Sequence, residues 1–442
     1  MNVPEQFSIT GDSAASIAAS VEAAIRTGAA SPGASLPTVR DLAGDLGVSP
    51  ATVASAYRRL RERGLVSGAG RRGTQVSHRP PLPLRMLDEV PAGVRNLAGG
   101  NPDPRLLPDL KSALERFVGG PAMYGDRVNL PQLLDIGQKW FADDGIDATH
   151  LAVVAGALDG VEKVISMELR PGDRVAVEDP GFPRVLDLLA ASGLYPEPVA
   201  LDERGPVPEA LSRALGRGAR AFLLTPRAHN PTGVIIDPDR ADELRISLIP
   251  HPDVLLIEDD HAGAAAGAPC VTLSEGRARW ATVRTVSKTL GPDLRLAVMA
   301  GDGTTIARVE GRQLLGMGWV SHVLQGIVVG LWKDRATPAL LRRAEQTYGR
   351  RRAALVGALA ERGVSVAARS GLNVWIPVPD ERAVAAALLE EGWAVARGEP
   401  FRLRAAPGIR VTTASLEEQE ADDFAAALLR SVNPRYVRTY TA

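Results

Sequence analysis

The sequence of 442 residues contains a single cysteine, Cys270, so an intrachain disulfide is excluded. Net charge is also nearly absent, at -1, which removes any chain-wide attraction to nucleic acid or anionic membrane and leaves only a local patch to supply one. No apolar run approaches the roughly 20 residues of a spanning helix. The opening MNVPEQFSIT has neither the basic nor the apolar stretch of a targeting signal, so a cytoplasmic location and no membrane partner are expected. Lysine is scarce: a handful stand among many arginines. What is present is a hydrophobic share of 45% and enough length for two or three domains, at roughly 100–200 residues each.

The first eighty residues read as a small helical unit. From Ser13 to Thr27 the apolar residues Ile17, Val21, Ala24 and Ile25 recur at helical spacing, with Asp12 or Ser13 placed to cap the first turn. A second short helix runs from Thr38 to about Leu46 and is ended by Gly47. Ser49 caps a third, which carries Pro50 at its first position, where a missing N–H costs nothing. Two helices around a tight glycine turn form a helix-turn-helix, and LVSGAGRRGTQV behind it reads as a hairpin wing. Between Thr38 and Arg79 there are eight arginines against three acids in a chain that is otherwise close to neutral. DNA phosphates reward such clustering, and the hydroxyls of Ser49, Thr52 and Ser55 suit base edges. The plainer alternative is a helical dimerisation domain with solvated arginines. The stretch LPTVRDLAGDLGVSPATVASAYRRLRERGLVSGAGRRGTQV resembles the winged helix-turn-helix of the GntR family of bacterial regulators, over residues 12–77. The resemblance implies that Arg40, the third-helix residues Ser49, Thr52, Ser55, Tyr57 and Arg58, and the wing arginines Arg71 and Arg72 face a double-stranded DNA operator. Pro50 and Ala51 stand where the family often has a basic residue.

Residues 78–94, HRPPLPLRMLDEVPAGV, are proline-rich and read as a semi-rigid linker. The remainder, 95–433, has α/β rhythm. Short β-branched runs at 151–154, 174–177, 221–224, 254–257, 282–286 and 297–299 alternate with helical stretches, as in a mostly parallel sheet. From about residue 335 the chain reads as a smaller α+β subdomain with strands near 372–377 and 408–412.

Polar residues cluster just after these strands, where ligands bind in a parallel sheet. AGALDG could hold a phosphate on backbone N–H groups at a helix start. DPGFP brings Phe182, HNPTG brings Asn230, and EDDHAG brings carboxylates and His261. The last, RTVSKTLGPDLR, sets Lys288 among hydroxyls with Arg295 seven places on. Taken singly, the acid pair reads as a metal ligand or a solvated loop end, the Ser-Lys pair as surface, and Phe182 as core. Their order along one sheet fits a single cofactor. Pyridoxal phosphate needs a lysine for its aldimine, donors for its phosphate, an acid at its ring nitrogen, a donor at its phenolic oxygen and a ring to stack on. No metal centre is expected.

The segment from about Val94 to Arg430 resembles fold-type I aminotransferases, on the motifs DPGFP, HNPTG and SKTLGPDLR. By that resemblance Lys288 would form the Schiff base, Asp259 would pair with the pyridinium nitrogen, Asn230 would reach the phenolic oxygen and Phe182 would stack on the ring. Gly156, Ala157, Thr285, Ser287 and Arg295 would bind the phosphate, and Tyr124 that of the neighbouring subunit. Arg410 would grip a substrate or effector carboxylate. Burial together with the nearby cation Arg295 is expected to depress the Lys288 pKa. Ala155, Ala157 and Asp159 depart from the family's hydroxyl and amide side chains in the phosphate turn, and His261 replaces its usual tyrosine.

A GntR-type winged helix ahead of a fold-type I body resembles the MocR/GabR regulators. The resemblance implies a homodimeric, pyridoxal-phosphate-dependent transcription regulator that senses an amine, an amino acid or pyridoxal phosphate itself at Lys288. Two alternatives stay open: a DNA-binding protein whose body is only a dimerisation scaffold, and an active aminotransferase carrying a regulatory DNA-binding domain.

Overall fold

The third helix of the N-terminal unit is amphipathic, and its apolar stripe decides how that unit folds. The structure is a computed structural model that describes residues 8–27, 29–31, 33–62, 65–68, 73–77, 90–117, 119–120 and 122–432. Helix α1 (Ala14–Thr27) is capped by Ser13, whose Oγ accepts the Ser16 N–H at 3.2 Å. Helix α2 (Val39–Leu46) starts at Thr38, whose Oγ1 accepts the Asp41 N–H at 3.2 Å, and stops at Gly47 with φ 64. In helix α3 (Pro50–Glu62), Ser49 Oγ accepts the Thr52 N–H at 3.1 Å. Val53, Ala56, Tyr57 and Leu60 then fall on one face and pack with Ile17, Val21 and Leu42 into a closed core. Strands β1 (Val66–Gly68) and β2 (Thr74–Val76) pair antiparallel as the wing. The hairpin tip with Arg71 and Arg72, and most of the 78–94 linker, lie outside the described residues.

In the body, β3 (Arg95–Asn96), α4 (Leu110–Glu115) and α5 (Pro131–Ala142) precede the main sheet. Then come β4 (Leu151–Val154), α6 (Ala157–Glu168), β5 (Arg174–Asp179), α7 (Pro183–Ala191), β6 (Tyr195–Asp202) and β7 (Gly205–Pro206). These are followed by α8 (Pro208–Gly216), β8 (Ala219–Leu224), α9 (Pro238–Leu248), β9 (Leu255–Asp260), β10 (Trp280–Thr285) and β11 (Ala297–Gly301). The eight strands lie in the order β4-β11-β10-β9-β8-β5-β6-β7. Strands β8, β9 and β10 are parallel, whereas β11 runs antiparallel to both β10 and β4, a reversal that the alternating pattern did not show. Phe141, Phe222, Leu256 and Val298 sit in the large core against this sheet.

Helices α10 (Gly303–Leu314), α11 (His322–Lys333) and the long α12 (Thr337–Ala360) lead into the smaller subdomain. It contains β12 (Asn373–Pro377), α13 (Glu381–Glu390), β13 (Trp393–Ala394), β14 (Ala396–Arg397), β15 (Gly408–Thr412) and α14 (Ala421–Ser431). Strands β12, β15 and β14 form one sheet, and β13 pairs parallel with β3. Leu97, immediately after β3, is buried in this subdomain's core with Val374, Ile409 and Phe424. Among the described residues no helix is long and apolar enough to cross a membrane.

One buried ion cluster ties the strand ends together. Asp260, at the end of β9, takes two bonds from Arg227 (2.9 and 2.8 Å) and one from Arg284 of β10 (2.6 Å), and both arginines also face Asp144. Burial alone would raise the Asp260 pKa, but the guanidinium groups of Arg284 and Arg227 hold it below the usual carboxylate range. Removing one partner of such a cluster strands a buried charge. Arg284→Met should therefore lower stability by about 3 kcal/mol, read as a lower urea midpoint by tryptophan fluorescence; an unchanged midpoint would show that Arg227 alone suffices for Asp260 and that no charge is stranded.

Candidate functional site

Strand β9 ends in three consecutive acids, and its two-residue period gives them different fates. Glu258 is satisfied by Thr272, Thr282 and the Leu273 N–H. Asp260 sits in the arginine clamp. Asp259 points the other way, is 6% exposed, and its Oδ1 has no hydrogen-bond partner among the described residues. Burial, then the neighbouring carboxylates of Asp260 and Glu178, push its pKa up to about 7, while Lys288 pulls it down. An acid of this kind suits a cationic nitrogen as its missing partner.

Lys288 follows β10, which runs parallel to β9, and its Nζ donates to the Gly100 carbonyl at 2.7 Å. Burial lowers its pKa to about 8, with Arg410 as the second cause and Asp259 opposing. The cation acting on the lysine is thus Arg410, not Arg295 as the sequence suggested. Arg295 lies only seven places away in sequence, but it is exposed, and its Nη2 donates to Ala155 O at 3.3 Å.

Arg295 belongs to the anion end of the site. A Cβ on Gly156, at φ 104, would lie 2.9 Å from its Nη2, so glycine lets the guanidinium lie against the turn before α6. Ala157 opens α6, whose N-terminus offers N–H groups. Thr285 Oγ1 donates to Leu296 O at 2.9 Å and lies 2.9 Å from Ser287 Oγ. The Asp159 charge is absorbed locally: it accepts the Ala155 N–H at 2.8 Å and pairs with the buried Lys163.

On the other side, Arg410 of β15 is 5% exposed, and burial lowers its pKa to about 10, leaving it a cation at neutral pH. Its Nη1 donates to Asn230 Oδ1 at 3.2 Å and its Nη2 to Ala98 O, its guanidinium lies 5.0 Å over the Phe401 ring, and its Nε is buried without a partner among the described residues. His261 is pushed down to about 4 by burial and then by Lys288, so it is neutral. Phe182 is half-buried at the start of α7, one residue after Gly181, whose N–H donates to Phe401 O at 2.7 Å. Ala98, Gly100, Phe401 and the His229–Glu178 pair (3.3 Å) were not anticipated. Backbone carbonyls carry no sequence signal, and the paired glycines of LAGGNP are the feature that could have pointed to a close approach here.

Tyr124 is not brought to this chain's own lysine. It is 94% exposed and edge-on to Trp319 at 5.6 Å. On the N-terminal unit, Arg40, Ser49 and Arg58 are exposed and Thr52 and Ser55 half-buried. Tyr57 is a correction: it is 1% exposed and its hydroxyl donates to Pro37 O at 2.8 Å, so it belongs to the core and not to a DNA face.

The chain matches the family "Bacterial regulatory proteins, gntR family" over residues 13–76 and "Aminotransferase class I and II" over residues 95–428. It is 39% identical over 403 residues to the vitamin B6 salvage pathway transcriptional repressor PtsJ of Salmonella typhimurium, covering 90% of this chain and 94% of that one. It is 31% identical over 250 residues, 53% of each chain, to the pyridoxine biosynthesis transcriptional regulator PdxR of Corynebacterium glutamicum. Over 79% of its length the chain is similar in fold to LysN, an α-aminoadipate aminotransferase from Thermus thermophilus, 94% of which is covered (TM-score 0.70, 21% identity).

The electrostatics predict a pH dependence. Attack on an aldehyde needs the neutral amine, so capture of pyridoxal phosphate should quicken by about tenfold per pH unit below the Lys288 pKa and level off above pH about 8. Removing the neighbouring cation raises that pKa, so Arg410→Met should move the midpoint to higher pH. A midpoint left in place, followed by stopped-flow absorbance, would remove Arg410 from the lysine's environment.

Proposed function

The chain belongs to the MocR-type regulators, a gntR-family helix-turn-helix ahead of an aminotransferase class I and II body, and on that premise we propose that Lys288 serves detection, not turnover. The observation that carries the reading is the free, buried oxygen of Asp259 in the same polar cluster as Lys288, Asn230, His261 and Arg410. That donor set fits pyridoxal phosphate. When bound, the cofactor supplies an aldehyde that an amine can join and a ring that withdraws electrons.

The chain's own residues would then do the rest. Asp259 would face the ring nitrogen, whose positive charge returns the carboxyl to its ionised form. Asn230 and His261 would hydrogen-bond the phenolic oxygen, and Phe182 would cover the ring. Thr285, Ser287, Arg295 and the N–H groups of Gly156 and Ala157 would hold the phosphate. The relatives named for vitamin B6 salvage and pyridoxine biosynthesis support pyridoxal phosphate itself as the signal. The buried cation Arg410, whose Nε has no partner among the described residues, favours a second reading in which an amino acid carboxylate is also recognised.

The exposed Tyr124 supports a homodimer in which it reaches the phosphate of the partner subunit, and two winged helices would then read paired half-sites. Arg40, Arg58 and the wing arginines would contact phosphates, so operator binding should weaken as salt rises.

Lys288→Ala should yield no borohydride-trappable adduct, and its affinity for an operator selected from a random DNA pool should no longer respond to pyridoxal phosphate. A response that survives would sink the detector reading. Arg40→Ala should weaken operator binding by about tenfold while leaving cofactor capture unchanged, and equal loss of both would indicate misfolding. Sustained transamination at an ordinary enzymatic rate would favour the enzyme alternative.

A further inference from the structure

The chain enters the body through residues 95–100, and the bonds on that stretch are divided unequally between the two subdomains. The Arg95 N–H donates to Gly392 O and the Leu97 N–H to Ala394 O, each at 2.8 Å. The Thr412 N–H donates to Leu97 O at 2.8 Å, and the Gly100 N–H to Thr412 Oγ1 at 3.0 Å. Arg410, on the same strand as Thr412, donates to Ala98 O. All these partners lie in the smaller subdomain, where the Leu97 side chain is also buried. Among the described partners of residues 95–100, Lys288 is the one that comes from the large sheet, through Gly100 O at 2.7 Å.

Lys288 and Arg410 therefore both hold carbonyls on one short piece of backbone. Gly100 is built for it: at φ 67 it adopts a conformation that other residues rarely take, and a Cβ there would lie 3.2 Å from Arg410 Nη1. In sequence, the same piece follows directly on the 78–94 linker that leads from the helix-turn-helix.

We propose that residues 97–100 are the output of the site: a ligand that takes Lys288 frees Gly100 O from the large sheet, and the freed segment transmits occupancy to the linker. The inference rests on the detector reading above. When the neutral Lys288 amine condenses with an aldehyde, one C=N bond forms, the C=O bond breaks, and the oxygen leaves as water with the two hydrogens the nitrogen gives up. The nitrogen then has no N–H to spare for Gly100. The Gly100 carbonyl is half-buried, and losing its donor there is unfavourable, so occupancy favours a displaced segment in which it meets water. A carboxylate that takes Arg410 would act on Ala98 O in the same sense. The bond is thus a differential contact between two states, which a ligand must have in order to shift them.

The test uses the full chain, a selected operator and pyridoxal phosphate. In wild type, the cofactor should change operator affinity by about fivefold or more, the scale of one or two hydrogen bonds. Cofactor-free Lys288→Ala should already show the affinity of cofactor-loaded wild type, because the tether is absent in both. Amide exchange at Gly100 and Asn101 should be faster in both than in cofactor-free wild type. Thr412→Val leaves Lys288 intact and should still capture the cofactor, but it removes the acceptor of the Gly100 N–H and so lowers the cost of displacing Gly100 from its resting place. It should shift cofactor-free affinity in the same direction, and it keeps the idea testable if the lysine variant misfolds. If wild type responds to the cofactor while both variants, cofactor-free, keep wild-type affinity and exchange, the segment is not the output and the detector reading stands. A wild type whose affinity ignores the cofactor overturns both.

Discussion

The site depends on the clamp around Asp260. Arg227 follows β8, Asp260 ends β9 and Arg284 lies on β10, so one set of charge-assisted bonds fixes the carboxyl ends of three adjacent parallel strands. Each of those strands delivers a candidate site residue within a few positions: Asn230 three after Arg227, Asp259 one before Asp260, Lys288 four after Arg284. A change in register of one residue on β9 would exchange Asp259 for its neighbours and place a satisfied carboxylate where a free one is needed. The buried cluster is therefore better understood as a register lock than as a source of net stability, which buried ion pairs seldom provide.

With the strands locked, the chemistry of the site follows from which charges remain unpaired. Of the three acids that end β9, Glu258 and Asp260 have their partners, whereas Asp259 keeps an oxygen with no partner among the described residues. Lys288 and Arg410 are both cations in a low-dielectric setting, and each lowers its desolvation cost by holding a backbone carbonyl. The resting site is thus closed upon itself through Gly100 and Ala98, and a ligand must compete with the protein's own backbone. Such competition couples binding to conformation without any separate relay.

The sequence shows one part of this plainly and hides another. Capping residues Thr38, Ser49 and Gly47 placed helix ends to within a residue, because caps act locally. The motifs after each strand named Asn230, Asp259 and Lys288, because a parallel sheet gathers its strand ends in one place. Tyr57 was misassigned although the information was present: Val53, Ala56, Tyr57 and Leu60 share a helical spacing that marks the buried face. The Arg410 effect on Lys288 was not legible, since it joins residues from different subdomains far apart in sequence, whereas Arg295 was close in sequence and turned elsewhere. The roles of Ala98 and Gly100 were hidden for a different reason. Their contribution is a carbonyl, which every residue has.

The phosphate turn bears on why this body would suit detection. Ala155, Gly156 and Ala157 have no side-chain donors, and the Ala155 N–H is committed to Asp159. What remains for an anion is the N–H groups of the helix start, two hydroxyls already bonded to each other, and the exposed Arg295. Donors that must be shared or drawn from solvent exposure hold an anion less firmly than dedicated buried ones. An enzyme gains by retaining its cofactor between turnovers, but a detector is informative only when its ligand exchanges near the concentration that varies. A lysine that captured its ligand covalently beside a modest anion site, with the lysine's alternative partner on the chain's own entry segment, would meet that requirement by setting capture against an intramolecular competitor.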